Sequence, residues 1–115
     1  MKDFPLKVGW KAYEVKFCPG PEVNKEGDGE VYGYHHGGTR EILVSEAWPR
    51  EQQQSTLIHE LIHSVDQYAG MQLEEAQILA LGNLLYEVWK DNPSLREALN
   101  EGFDKENPVG FQTDC

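Results

Sequence analysis

The chain has 115 residues and carries 20 acidic against 10 basic side chains, a formal net charge of −10 that argues against a phosphate backbone as partner. Its 39% hydrophobic and 26% charged residues suit a soluble globular protein with one modest core. No apolar run approaches the roughly 20 residues of a membrane span, and the start, Met1-Lys2-Asp3-Phe4-Pro5, lacks the apolar segment of a secretory signal, so a cytoplasmic monomer is expected.

Residues 6–17 alternate between apolar and polar and are rich in β-formers, which predicts one strand or a tight hairpin turning near Gly9-Trp10. Cys18-Pro19-Gly20-Pro21 ends it, and residues 23–30 read as an exposed loop. Cys18 and Cys115 lie far apart and form no Cys-x-x-Cys pair, so both are expected to be reduced thiols. Residues 31–34 form a short strand, His35-His36-Gly37-Gly38 a turn, and residues 39–45 a third strand that closes a second hairpin. The period then changes. Residues 49–68 predict a helix with Pro49 in its first turn, and Ile58, Leu61, Ile62, Val65 and Ala69 form its core-facing stripe. Gly70 is its C′ residue. A second helix covers about residues 73–90. Its apolar residues, Ile78, Leu79, Ala80, Leu81, Leu84, Leu85, Val88 and Trp89, cover most of the circumference, as in a central buried helix. Asp91-Asn92-Pro93 stops it, and Ser94 with Glu97 reads as the capping box of a short helix to residue 100. The expectation is one α+β domain with a small antiparallel sheet packed on two helices. Residues 1–47 are mainly β, 48–100 mainly α and 101–115 a tail.

Within the first helix, His59-Glu60-Leu61-Ile62-His63 spells H-E-x-x-H. Positions i and i+4 lie about 40° apart on one helical face, so His59 and His63 aim two imidazoles at one point, as a zinc ion requires of two ligands. Glu60 stands one position round, placed to act as general base on a zinc-activated water. A catalytic zinc takes three protein ligands. A third histidine six residues after the second is absent, because Ala69 stands there and Asp66 stands where the accompanying glycine would be, which excludes the metzincin pattern. Glu74 and Glu75 open the second helix. By helical angle Glu74 points with Ile78, Leu81 and Leu85, whereas Glu75 lies at that face's edge in line with Gly82, where a helix crossing could bring it to the metal. Asp66 shares the face of the two histidines and is read as a carboxylate behind them, taking a ligand histidine's free N–H. Tyr34, His35 and His36 are the candidates for oxyanion or substrate contact.

Thr56 to Asp66, followed by Glu75-x-x-Ile78-x-x-Leu81-Gly82, resembles the small zincin-type metallopeptidases of phages and bacteria, related to the ImmA/IrrE group and more widely to the gluzincins. The resemblance implies a zincin-like minimal fold, one Zn²⁺ held by His59, His63 and Glu75, and hydrolysis of a peptide or protein substrate. It also implies that the strand at residues 40–45 is an edge strand that pairs with extended substrate. Two other readings stand beside it. One is a non-catalytic zinc domain serving structure or protein contact, which a fourth ligand such as Asp66 or His36 would favour. The other is a helical interaction module without metal.

Overall fold

The computed structural model describes residues 1–20 and 32–102. The loop read at 23–30, Val31 and the tail with Cys115 lie outside them. Strands β1 (Phe4–Val8) and β2 (Lys11–Cys18) pair antiparallel from Phe4↔Val15 to Val8↔Lys11, so the hairpin with its turn at Gly9-Trp10 is the form adopted. Alternation along β2 sends Tyr13, Val15 and Phe17 inward and leaves Ala12 and Glu14 exposed. Gly9 has a φ of +61°, and a Cβ there would sit 2.0 Å from the Tyr68 ring. Because that ring is itself exposed and free to swing aside, the backbone term dominates. Gly9→Ala is expected to destabilise the fold by about 1–2 kcal/mol, the cost of a left-handed φ at a non-glycine residue. Denaturant melts of parent and variant measure it, and equal midpoints would refute the assignment.

Strands β3 (Gly33–His36) and β4 (Glu41–Ser45) form the second hairpin, with the turn at residues 37–40. His35 and His36 therefore belong to a strand rather than to the predicted turn. The sheet order is β1-β2-β4-β3, and β4 runs parallel to β2 in the register Val15↔Ile42 and Phe17↔Val44. The sheet is thus mixed, not wholly antiparallel. Residues 19–40, β3 among them, supply the long connection that parallel neighbours need. This register merges the inward residues of both hairpins into one core of Val8, Tyr13, Val15, Phe17, Ile42 and Val44. It also corrects the expected edge strand. β4 has partners on both sides, and the edge strands are β1 and β3.

Helix α1 (Arg50–Ala69) lies on this sheet, with Pro49 as its N-cap residue and Gly70 closing it at φ +69°. Leu57 and Leu61 pack against the core, flanked by the buried Thr56, Glu60 and Ser64. The predicted stripe is therefore rotated. Ile62 faces the second helix beside Gly82, while Val65 and Ala69 are exposed. α1 serves two neighbours, and the sheet takes the leucine side. Helix α2 (Glu75–Asp91) packs against α1 and buries only Ile78 and Gly82. Leu79, Leu81, Leu84, Leu85, Val88 and Trp89 are all exposed, so α2 is not the central helix its composition predicts. Helix α3 (Pro93–Asn100) begins at Pro93 with Asn92 as N-cap residue, two residues earlier than a Ser94 cap would allow. Among the described residues no helix is long and apolar enough to cross a membrane.

Candidate metal centre

His59 and His63 bring their Nε2 atoms to 3.2 Å of each other, as their helical spacing requires. The turn at residues 70–74 reverses the chain, and the first residue of α2 delivers a carboxylate to both. Glu75 Oε1 lies 3.0 Å from His59 Nε2, and Oε2 lies 3.1 Å from His63 Nε2. Ligands on a tetrahedral ion at 2.0–2.1 Å are roughly 3.3 Å apart. The three donors meet that spacing, and His59, His63 and Glu75 form a group that could hold a metal ion. The approach of the two helices that permits this occurs at Gly82, where a Cβ would lie 3.5 Å from the His59 Cα, so a small residue is what the crossing accepts. Burial draws the His59 pKa below its ordinary value, against the pull of the Glu75 carboxylate, which favours the neutral imidazole that ligates metals.

Glu60 lies on the sheet side of the same helix and is buried. Burial, with a smaller contribution from the Glu75 charge, pushes its carboxyl from the ordinary 4.5 up to about 7. The folded chain then binds more protons than the unfolded chain between pH 4.5 and about 7, so stability falls as pH rises through that window. The ionised carboxylate costs of order 3 kcal/mol at higher pH. In the presence of chelator, Glu60→Gln is expected to raise the melting temperature at pH 8 and to leave it unchanged at pH 4. A shift of the same size at both pH values would show that ionisation is not the cause.

The donors open onto a cavity of about 580 Å³, ample for a few residues of a ligand. Besides the four motif residues, its walls include Tyr32, Gln52, Ser55, Thr56, Leu79 and Asn83. Sequence reasoning did not single these out for the site, although periodicity carried a signal. Gln52, Ser55 and Thr56 precede His59 by seven, four and three residues, and Leu79 and Asn83 follow Glu75 by four and eight. Tyr32, whose ring packs on Trp48 at 4.6 Å, had no such signal.

The other predicted residues separate. Glu74 is the exposed N-cap of α2, with extended backbone angles (φ −77°, ψ 154°), and its N–H donates to Gln77 Oε1. Helical angles do not apply to a residue outside the helix, which is why its expected apolar facing fails. In β3, alternation splits the three oxyanion candidates. Tyr34 and His36 share one face, with rings 4.5 Å apart, and do not line the cavity. His35 takes the other face, stacked over His63 at 6.3 Å and beside Tyr13 at 5.6 Å. Burial lowers its pKa, and its Nε2 has no hydrogen-bond partner among the described residues. It stacks on His63 and stands outside the three-donor group.

Asp66 is not placed behind the histidines as expected. Its Oδ1 accepts the Leu73 N–H at 3.0 Å, and its carbonyl accepts the Gly70 N–H at 2.8 Å. The side chain thus ties the end of α1 to the turn two residues before Glu75, a turn that also holds Gln72 at φ +59°. Asp66→Ala is expected to weaken metal binding by about 10–100-fold, in the range for groups that orient ligands. Asp66→Asn keeps an accepting oxygen and should bind within a few-fold of parent. Equal losses in both variants, read by metal titration, would return the role to the carboxylate charge.

Comparison of the chain with protein-family models, with curated proteins and with solved structures finds no match.

Proposed function

We propose that the chain is a zinc metallopeptidase in which His59, His63 and Glu75 hold one zinc ion and Glu60 is the general base. The observation that carries this reading is the convergence of three donors, 3.0–3.2 Å apart, at the mouth of an open cavity with a buried glutamate beside them. Two imidazoles and a carboxylate are a donor set that catalytic zinc uses. Neither Asp66 nor His36 joins the group among the described residues, so the four-ligand site of a structural zinc domain has no support here.

Zinc in such a site supplies a Lewis acid, which acidifies water and polarises a carbonyl. The chain's own residues do the rest. His59 and His63 present neutral nitrogens, and the Glu75 carboxylate adds charge that favours a divalent cation. Glu60, with a proton affinity near neutrality, takes a proton from the attacking water and returns it to the leaving amine. A structural site needs no such base. Substrate lies in the cleft walled by Tyr32, Gly33 and Asn83, alongside the β3 edge, and pairs with that edge as an added strand. The Tyr32 hydroxyl takes the place that the sequence suggested for Tyr34. The reading agrees with the likeness of residues 56–66 and 75–82 to small zincin-type peptidases.

The test is metal analysis of the purified protein, followed by incubation with an unstructured protein substrate, with zinc or with chelator. Zinc near one equivalent and chelator-sensitive cleavage are expected. Absence of bound zinc would sink the reading, and zinc without cleavage of any substrate in a broad peptide library would leave only a zinc-binding module.

A further inference from the structure

The buried core cluster draws nothing from α2 or α3. Its residues lie on β1, β2 and β4, and α1 seals it with Leu57 and Leu61. α2 packs on α1 and on α3, and neither α2 nor α3 has extensive contact with the sheet. Only Ile78 and Gly82 of α2 are buried, and a glycine brings no side chain to the contact. Toward its C-terminal end α2 meets α1 through the Tyr86 hydroxyl, which donates to Gln54 Oε1 at 2.8 Å, and through Lys90, 3.8 Å from Glu51. A neutral hydrogen bond contributes modestly and an exposed ion pair less. A 17-residue helix with so few anchors is marginal in water. At its N-terminal end α2 meets α1 through Glu75. That side chain is 65% exposed, so its hydrogen bonds to the two imidazoles compete with water.

We infer that the metal ion is the clasp that docks α2 and α3 on the rest of the domain, so that the chain has two parts: a sheet with α1 that holds itself together, and a helical pair whose position depends on the metal. The inference rests on the metal centre proposed above and adds that this centre is not preformed. Two of the donors belong to α1 and the third to α2, so an ion bound by all three joins exactly the two helices that little else joins. Binding energy at such a site is spent as docking energy. Arg96 Nη1 donates to Lys90 O at 3.0 Å and keeps α3 with α2. Leu79 and Asn83 of α2 wall the cavity beside the donors, so metal loading builds the cleft together with the centre. A chain stripped of metal loses one wall of its substrate site as well as its Lewis acid.

Amide hydrogen exchange of the full chain, with zinc and with chelator, tests the inference by a readout independent of cleavage. On chelation the α2 amides are expected to exchange at least about 10-fold faster, as an undocked helix frays, while those of β2 and β4 keep their rates. A second measurement uses Ile78→Ala, which alters no donor. Truncating this buried side chain lowers the population of the docked state, and apparent affinity falls with that population, so zinc binding is expected to weaken by at least about 10-fold in a competition titration. A parent that binds zinc and protects α2 equally in both conditions overturns the inference and leaves the metal centre standing. Exchange that quickens equally in α2, β2 and β4 also overturns it, because the metal then steadies the whole domain. Parent-like zinc affinity in Ile78→Ala shows a preformed centre and overturns it as well. Absence of bound zinc removes the centre itself, and the inference with it.

Discussion

Glu60→Gln is expected to hold zinc within a few-fold of the parent and to lose peptidase activity by about 10²–10⁴-fold, the contribution of a positioned general base. The expectation follows from where the side chain stands. Glu60 is outside the three-donor group, so removing its charge deletes no ligand. It is buried, and burial is the main reason its proton affinity is near neutrality, where a base both accepts and returns a proton readily. Gln keeps the shape and cannot take the proton. The loss should fall on kcat, because the group acts on the reacting water and not on the bound peptide. Zinc content by metal analysis and turnover by substrate cleavage are the two readouts. A variant that retains zinc and cleaves like the parent would remove Glu60 from the chemistry and with it the enzymatic reading.

The second large effect concerns the ligands. His63→Ala and Glu75→Ala are each expected to weaken zinc binding by more than about 100-fold, beyond what loss of a residue behind a ligand costs, and to abolish cleavage. Glu74→Ala should bind zinc as the parent does. The two glutamates are adjacent in sequence, yet only Glu75 reaches both imidazoles, at 3.0 and 3.1 Å. Glu74 sits before the helix and faces solvent. Zinc competition titrations against a chromophoric chelator separate the three variants. Parent-like affinity in Glu75→Ala would dissolve the assigned centre, and a loss confined to Glu74→Ala would transfer the role to its neighbour.

Much of the site was legible because it is local. The spacing of His59 and His63 on one helix and the position of Glu60 between them follow from helical geometry alone. Glu75 was within reach of sequence reasoning because Gly70 marks a tight turn and Gly82 marks a close helix crossing, which together limit where α2 can return. Both ends of α1 were legible for the same reason, since capping is read within a few residues, whereas at Gly9-Trp10 the pattern allowed either one strand or the hairpin that forms. Asp66 shows where this stops. Its helical face agrees with the histidines, but its carboxylate found a nearer donor in the Leu73 N–H, which exists only once the turn has formed.

What only the tertiary structure decided is which surfaces meet. The sequence by itself determined β structure before residue 46, with a hairpin at residues 31–45 and either one strand or a hairpin at residues 6–17, a change to helical period near residue 49, and two imidazoles and a glutamate on one helix. It could not determine that β4 joins β2 in parallel, because alternation marks an inward face without choosing the neighbour. For the same reason it placed only Leu61 of the α1 stripe correctly on the sheet core, while Val65 and Ala69 are exposed, and it read the all-round apolar α2 as central when one side remains exposed. Periodicity reports that a side chain is apolar and which way it points along its own element. Which element covers it is a long-range outcome, set by pairings between segments that no local pattern encodes.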